Sequence, residues 1–293
     1  MLFHVILLLY IACVWAFTFI FIKVEEVAHV GPLTIIAGRA VIAFICMLVP
    51  AIILKKDLLG NFKHIGKFLV LSLLSIVSLW VALSEGQEYI NAGVASVMVT
   101  TVPLLTFIIL VFVLREEKFS FIGLGGLLLG VMGIVLVVEL KTILAGGTTV
   151  GGFLLIGSGF VMFAVGGILV SRWGKGIDPV VTTAYLLGIG AIILIVLASI
   201  FESPLRFPLT KKNVLSELGL GVLSTASGYF GYYYLVNKTG VYFSTFIFYF
   251  IPVFGLIAGY FVLGEMVAMT QILGVLLIIA GVYVINWEKR RGK

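Results

Sequence analysis

The chain has 293 residues, of which 62% are apolar and only 11% are charged, and its formal net charge is +6. A soluble domain needs roughly 25% charged residues to cover its surface, so this composition excludes a protein that folds with water as its main solvent. Cys13 and Cys46 both fall inside apolar stretches, where we expect buried thiols rather than a disulfide framework.

Ten apolar stretches of about 17–25 residues follow one another along the chain, each long enough for a membrane-spanning helix. They lie near residues 3–22, 32–54, 65–84, 90–114, 119–138, 150–171, 179–200, 214–236, 241–263 and 268–287. The connections between them are too short for a folded aqueous domain. The first stretch has no basic residues before it and no small-x-small cleavage site after it, so we expect it to stay as a helix.

The basic residues favour one side of this predicted arrangement. With both termini in the cytoplasm, 13 of the 19 Lys and Arg residues lie inside, five lie outside, and Arg39 falls within a span. This bias follows the positive-inside rule and predicts a multi-pass protein of the cell membrane with both termini cytoplasmic. The basic tail then faces anionic lipid, so the lipid bilayer, and not nucleic acid, is its expected partner.

The stretch 79–116 occurs a second time, at an offset of 149 residues, as 228–265. The residues that coincide are Pro103 with Pro252, Ser96 with Thr245, and Glu116 with Glu265. Each copy leads into an apolar helix with two glycines seven residues apart, Gly126 and Gly133 in one and Gly274 and Gly281 in the other. Such agreement at one offset indicates an internal duplication.

Five predicted helices in each half is an odd number, so the second half must cross the membrane in the opposite sense. We therefore predict an all-α membrane protein of ten transmembrane helices, built as two inverted five-helix repeats. The first repeat covers 1–145 and the second covers 146–293, including the basic tail. Inverted repeats are common among secondary transporters, and their substrates bind near the midplane between the halves.

Several spacings resemble the EamA-type branch of the drug/metabolite transporter superfamily. Trp15 stands eight residues before Lys23, and Pro32 stands seven before Arg39. The two Pro-to-Glu helices, which end in LREE and VLGE, also look like that family. The resemblance implies ten helices, no cofactor, and export or uptake of small metabolites. The chain departs from the family pattern at Arg115, where Gly usually precedes the Glu, and in a Gly-rich first half of the sixth helix.

Arg39 is the clearest ionisable candidate, because an unpaired charge at membrane depth is costly. Its guanidinium could hold a substrate carboxylate or phosphate, or form a structural or gating pair with Glu85. Glu85 and Glu88 stand where the third helix ends, and Glu85 could couple transport to protons or simply face water there. Glu116 and Glu265 are expected to cap or anchor their helices.

Polar-tipped aromatic residues form a second pattern. Tyr229, Tyr233 and Asn237 recur every four residues on the eighth helix, and the repeat offset maps them onto Trp80, Ser84 and Glu88. We call these two rows of residues, on one face of each helix, the stripes of the eighth and third helices. Such related stripes fit either a cavity for small amphipathic solutes or an interfacial aromatic belt. The further candidates for substrate contact are Trp15, Thr18, Thr100, Tyr232, Tyr234 and Tyr249.

Pro103 and Pro252 are predicted to lie mid-span and to kink their helices, either as gating hinges or as fixed bends. The glycine faces, including Gly126 with Gly130, could form the seam of a homodimer or pack helices of one chain together.

The sequence disfavours an enzyme, since it carries no phosphate-binding Gly-Lys-Ser/Thr loop and no His-Glu-x-x-His zinc pair. No metal site is expected. We expect a carrier for a small organic metabolite, with export of amino acids or related compounds as the leading function. The alternatives are an uptake carrier for a sugar or phosphorylated metabolite, and a channel.

Overall fold

A computed structural model describes residues 2–86, 89, 98–116, 118–138, 150–202, 207–258 and 268–291. These residues form helices and connecting turns with no strand among them, which confirms the all-helical class. The helices are α1 (Leu2–Val27), α2 (Pro32–Ile53), α3 (Leu58–Gly86), α4 (Thr101–Val113), α5 (Phe121–Val138), α6 (Val150–Trp173), α7 (Pro179–Phe201), α8 (211–239), α9 (Val241–Ala258) and α10 (Met269–Arg291).

Five of these helices, α2, α3, α6, α7 and α9, are long and apolar enough to cross a membrane. In α1, α4, α5 and α10 the apolar part within the described residues is shorter. The predicted total of ten membrane-spanning helices therefore stays a prediction.

α2 and α7 lie antiparallel and are joined at both ends. α2 begins at Pro32, and the first-turn N–H groups of Leu33 and Thr34 donate to the Glu202 carboxylate at the end of α7, at 2.9 and 2.8 Å. At the other end, Asp178 caps α7 and accepts a 2.6 Å hydrogen bond from Lys56, which follows α2. Carboxylates at helix N-termini satisfy free N–H groups and complement the helix dipole, so these contacts fix the pair of helices in register.

The two halves pack through equivalent pairs of helices. α1 packs on α8, its counterpart α6 packs on α3, and α5 packs on α10. Glycines of α8 face α1, where a Cβ on Gly228 would collide with Trp15. Glycines of α6 face α3 in the same way, and a Cβ on Gly159 would come within 2.7 Å of Ala82. The Gly-rich sixth helix is thus explained by its close contact with α3.

The glycines seven residues apart lie between α5 and α10 of the same chain. A Cβ on Gly126 would come within 2.8 Å of the Gly281 carbonyl, and one on Gly133 would meet the Gly274 carbonyl. Both glycine pairs are therefore occupied by packing between the halves. The contacts of these glycines within one chain favour packing between the halves, and a homodimer seam at these residues stays a prediction.

The structure changes the interpretation of Pro103. It lies in the first turn of α4, where a proline removes no hydrogen bond of that helix, so it does not kink a mid-span segment. Pro252 does lie inside a helix, a short distance after α9 is interrupted by a turn at Thr245 and Phe246. A role of either proline as a hinge stays a prediction.

Arg115, which stands where the family pattern has glycine, adopts an unusual backbone conformation. Arg115 has φ 54°, in the left-handed region that favours glycine. The next residue, Glu116, forms an ion pair with Arg172 in the last turn of α6. Glu116 thus anchors the end of α4 to the second half of the chain, whereas Glu265 lies outside the described residues.

Candidate functional site

Two residues related by the duplication meet in the middle of the bundle. The Trp80 indole Nε1 donates a 2.8 Å hydrogen bond to the Tyr229 hydroxyl, across 149 residues of sequence. Their side chains are 4% and 3% exposed. Because each residue is the repeat counterpart of the other, their contact lies on the boundary between the two halves of the chain.

Wider helical turns precede both residues. Leu73–Val77 in α3 and Gly219–Ser227 in α8 form i→i+5 turns, and the repeat offset maps the first range inside the second. Such turns leave backbone carbonyls available to side chains and are frequent at functional sites. In α8 the Ser224 carbonyl accepts a 3.0 Å hydrogen bond from the Trp15 indole, which fixes that ring against α8.

Arg39 extends this group from α2. Its guanidinium lies 3.9 Å above the centre of the Trp80 ring, and its Nε donates a 3.1 Å hydrogen bond to the Thr225 hydroxyl. That is its one hydrogen bond to the described part of the chain, although the side chain is only 6% exposed. Cation–π contact and one neutral acceptor hold the charge in place without neutralising it.

The expected pairing of Arg39 with Glu85 is wrong. The carboxylates whose charge acts on Arg39 are those of Glu217 on α8 and Glu25 on α1. Glu85 does not line the cavity described below. The sequence did not predict either carboxylate as a neighbour of Arg39. Glu25 lies beyond the first apolar stretch and is buried because α1 continues to Val27.

A cavity of about 240 Å³ lies beside the Trp80–Tyr229 contact. Its wall is formed by the second half of α1, the first half of α2 and the last part of α3, together with residues of α6, α8 and α9. The wall includes six of the residues predicted from the sequence, Trp15, Thr18, Arg39, Trp80, Ser84 and Tyr229. Thus one residue of the α8 stripe and two of the α3 stripe contribute to the same cavity.

Three predicted binding residues do not line this cavity. Tyr232 and Tyr233 are fully buried one turn further along α8. The Tyr232 ring lies 5.8 Å from that of Trp15 and 5.4 Å from that of Phe163, as part of an aromatic layer behind the cavity wall. Tyr249 points to the other side of α9, where its hydroxyl donates to the Leu127 carbonyl of α5 at 3.1 Å.

The remaining sequence candidates lie away from the cavity or outside the described residues. Asn237 and Tyr234 are half-buried near the end of α8, and Tyr234 contacts Phe3. Thr100 is buried beside α4 and is absent from the cavity wall. Glu88 is not among the described residues, so the third position of the α3 stripe cannot be compared.

Sequence reasoning missed three phenylalanines that complete the wall, Phe160, Phe163 and Phe248. Phe248 lies 5.5 Å from Trp15 and 5.3 Å from Phe163, measured between ring centres. The repeat offset of 149 residues relates Phe248 to Val99, and both residues line the cavity. The duplication could therefore have pointed to this pair. The described part of the site therefore combines apolar aromatic walls with one buried cation, Arg39, an arrangement that fits a small solute carrying an anionic group.

Comparison with known proteins agrees with this architecture. A model of the EamA-like transporter family matches residues 2–139 and again residues 150–287. Uncharacterized transporter YoaV of Bacillus subtilis (strain 168) is 25% identical over 283 residues, which cover 97% of this chain and 96% of that protein. An uncharacterized transporter of Archaeoglobus fulgidus is 26% identical over 276 residues, covering 92% and 94% of the two chains.

Two further proteins are similar to this chain. The WAT1-related protein At3g02690 of Arabidopsis thaliana, described as chloroplastic, is 27% identical over 71% of this chain and 51% of its own length. A solved crystal structure superposes with a TM-score of 0.84 at 16% identity, covering 99% of this chain and 98% of the other. That likeness establishes the fold alone.

Proposed function

The chain belongs to the EamA-like transporter family, and on that premise we propose that it is a secondary carrier for a small organic metabolite. The substrate binds in the cavity beside Trp80 and Tyr229, at the boundary between the inverted repeats. The observation that carries this proposal is the direct contact of two repeat-related residues in the wall of a cavity. A carrier with inverted repeats needs its binding site at that boundary, because rocking of the halves then exposes it to either side.

The composition of the cavity supports an amino acid or a related compound as substrate. Its volume of about 240 Å³ lies below the range of roughly 300–1,000 Å³ that is common for drug-sized ligands, so it suits a small metabolite. Arg39 would bind the carboxylate, and the rings of Trp15 and Trp80 would contact the side chain. Export from the cell is the direction that we propose.

The alternative is an uptake carrier for a sugar or phosphorylated metabolite. Arg39 favours it too, because a guanidinium binds phosphate as well as carboxylate in a bidentate manner. A channel is less consistent with the closely packed rings of Tyr232, Phe163 and Phe248 at and behind the cavity wall.

The proposed topology has ten membrane spans and both termini in the cytoplasm. Ion pairs support it, since Lys56 with Asp178 and Glu116 with Arg172 each join connections that this topology places on the cytoplasmic side. The cavity lies nearer the connection between α1 and α2, which the topology places outside. We therefore propose that this arrangement faces outward.

A thermal-shift screen of the purified protein tests the proposed substrate class. A ligand at about 100 times its Kd stabilises the folded state by about 2.7 kcal/mol. We expect amino acids to raise the melting temperature, and their amides, which lack the carboxylate, to have a smaller effect. The Arg39→Gln variant should lose this difference.

The same screen separates the alternatives. Stabilisation by sugar phosphates alone would favour the uptake carrier. If no small anionic or zwitterionic metabolite stabilises the wild type, the proposed substrate class is wrong.

A further inference from the structure

A pair of buried carboxylates lies close to the cavity without lining it. Glu25, near the end of α1, is 0% exposed, and Glu217, on α8, is 7% exposed. The two carboxylates are close enough for the charge of Glu25 to act on Glu217. Among the residues that the structure describes, no donor reaches any of their four oxygen atoms. The hydroxyl of Ser216 donates instead to the Phe21 carbonyl, at 2.8 Å.

The fold makes room for this pair at the meeting point of α1, α2 and α8. The Glu217 carboxylate packs against Gly38 of α2, and a Cβ at that position would collide with it. The next residue is Arg39, whose charge acts on both carboxylates. Arg39 itself is 6% exposed and has no charged hydrogen-bond partner in the described part of the chain.

Among the described side chains, the charges of Glu25, Glu217 and Arg39 balance only if a further cation is present. Two ionised carboxylates and one guanidinium carry a net charge of −1, and an uncompensated charge is costly at membrane depth. Two ionised carboxylates that act on each other without a donor between them also repel each other. One proton held between them removes the repulsion and makes the group neutral. We infer that Glu25 and Glu217 form a proton-binding site, which Arg39 links to the substrate cavity.

A proton fits this place better than a metal ion. Hard cations such as Ca²⁺ and Mg²⁺ take about six or more oxygen ligands. The described residues include no group of three or more His, Cys, Asp or Glu side chains that could hold a metal ion. Of the other described charged groups nearby, Glu202 is bound to the first turn of α2, and Lys211 and Lys212 at the start of α8 are exposed. The side chains of Lys23 and Glu26, on either side of Glu25, lie outside the described residues.

Arg39 links the proton site to the substrate cavity, so proton binding and substrate binding can affect each other. The guanidinium belongs both to the cavity wall and to the charge group with the carboxylates. An anion bound to Arg39 from the cavity would use its positive charge, and a second proton on the pair would restore neutrality. This coupling step rests on the proposed function, whereas the proton site itself does not.

Infrared spectroscopy of the purified protein at neutral pH tests the proton site without any substrate. A shared proton should give the carbonyl stretch of a protonated carboxylic acid, with the expected shift in heavy water. Glu25→Gln and Glu217→Gln should each abolish this band, because the remaining carboxylate then stands ionised beside Arg39. Glu202→Gln is the matched control and should keep the band, since that carboxylate already accepts three hydrogen bonds.

Two further measurements complete the test. Arg39→Gln should strengthen the band, because the pair then needs a second proton for neutrality. The spectrum should be the same in sodium and potassium buffers. The inference would be overturned if the wild type lacks the band or if the band persists in both glutamine variants. It would also be overturned if the band weakens in Arg39→Gln or disappears in sodium buffer. The wild-type spectrum alone tests whether a protonated carboxylic acid is present, even if a variant does not fold. None of these results depends on which metabolite is carried.

Discussion

Trp80 and Tyr229, which are counterparts in the two halves of the chain, hydrogen-bond to each other at 2.8 Å. The Trp80 ring also carries the Arg39 guanidinium on its face, and the Tyr229 ring lies 5.4 Å from that of Trp15. One contact therefore joins α2, α3, α8 and α1 at the boundary between the repeats. Rearrangement of the halves during transport must change the surroundings of this contact, which makes it the natural place to probe function.

Removing the Tyr229 hydroxyl should weaken the site. In Tyr229→Phe the buried Trp80 N–H loses its acceptor, which costs about 1–3 kcal/mol. We expect a lower melting temperature and weaker ligand binding, both measurable by thermal shift. Tyr232→Phe is the matched control, because the Tyr232 hydroxyl is buried and has no partner among the described residues. An equal loss in both variants would show that the hydrogen bond to Trp80 has no special role.

Packing of α5 against α10 should depend on Gly281. A Cβ at this position would collide with the Gly126 carbonyl, so Gly281→Ala should destabilise the protein by about 1–3 kcal/mol. Gly125→Ala, on the same pair of helices, has open space around its Cβ and should be neutral or slightly stabilising. Thermal unfolding in detergent measures both. If Gly281→Ala instead converts a dimer into a monomer without loss of stability, these glycines form an interface between copies.

Replacement of Arg115 should stabilise the connection between α4 and α5. A left-handed conformation costs a residue with a side chain about 1–2 kcal/mol, and glycine avoids that cost. Arg115→Gly should therefore raise the melting temperature, whereas Lys118→Gly, outside the left-handed region, should not. A lower melting temperature in Arg115→Gly would mean that the arginine side chain contributes more than its backbone costs.

Exposed residues in repeat-related connections test the inverted topology. Leu59 and Leu209 are 90% and 86% exposed, and the predicted topology places them on opposite sides of the membrane. In a Cys13→Ala, Cys46→Ala background, a membrane-impermeant maleimide added outside should label Leu209→Cys and spare Leu59→Cys. Gly146→Cys, outside the described residues, should behave like Leu209→Cys, and Gly240→Cys like Leu59→Cys. Labelling of both leucine positions from the same side would contradict inverted repeats.

Much of the architecture could be predicted because the membrane imposes strong and local constraints. Long apolar stretches predict helices, and the offset of 149 residues pairs Trp80 with Tyr229 before any coordinates are known. The stripe hypothesis failed at Tyr233 for a geometric reason. Tyr233 lies about 6 Å further along the axis of α8 than Tyr229, so it packs behind the cavity wall instead of reaching the cavity.

The partners of Arg39 could not be predicted from spacing. Glu25 and Glu217 lie 192 residues apart and outside the centres of the apolar stretches, so each alone reads as an interfacial charge. They become buried because α1 continues past its apolar part and because Gly38 lets α8 approach α2. Such proximity results from packing in three dimensions, which the pattern of a single helix does not contain.

Counterflow in liposomes measures the central claim most directly, that substrate binds beside Trp80. The best ligand from the thermal screen would be assayed with wild type and Trp80→Ala at matched protein. We predict saturable counterflow for the wild type. In Trp80→Ala, loss of about 1–3 kcal/mol of apolar contact should raise the half-saturation concentration roughly five- to hundredfold. Non-saturable flux in the wild type, or an unaltered half-saturation concentration in Trp80→Ala, would contradict the assignment of this cavity as the transport site.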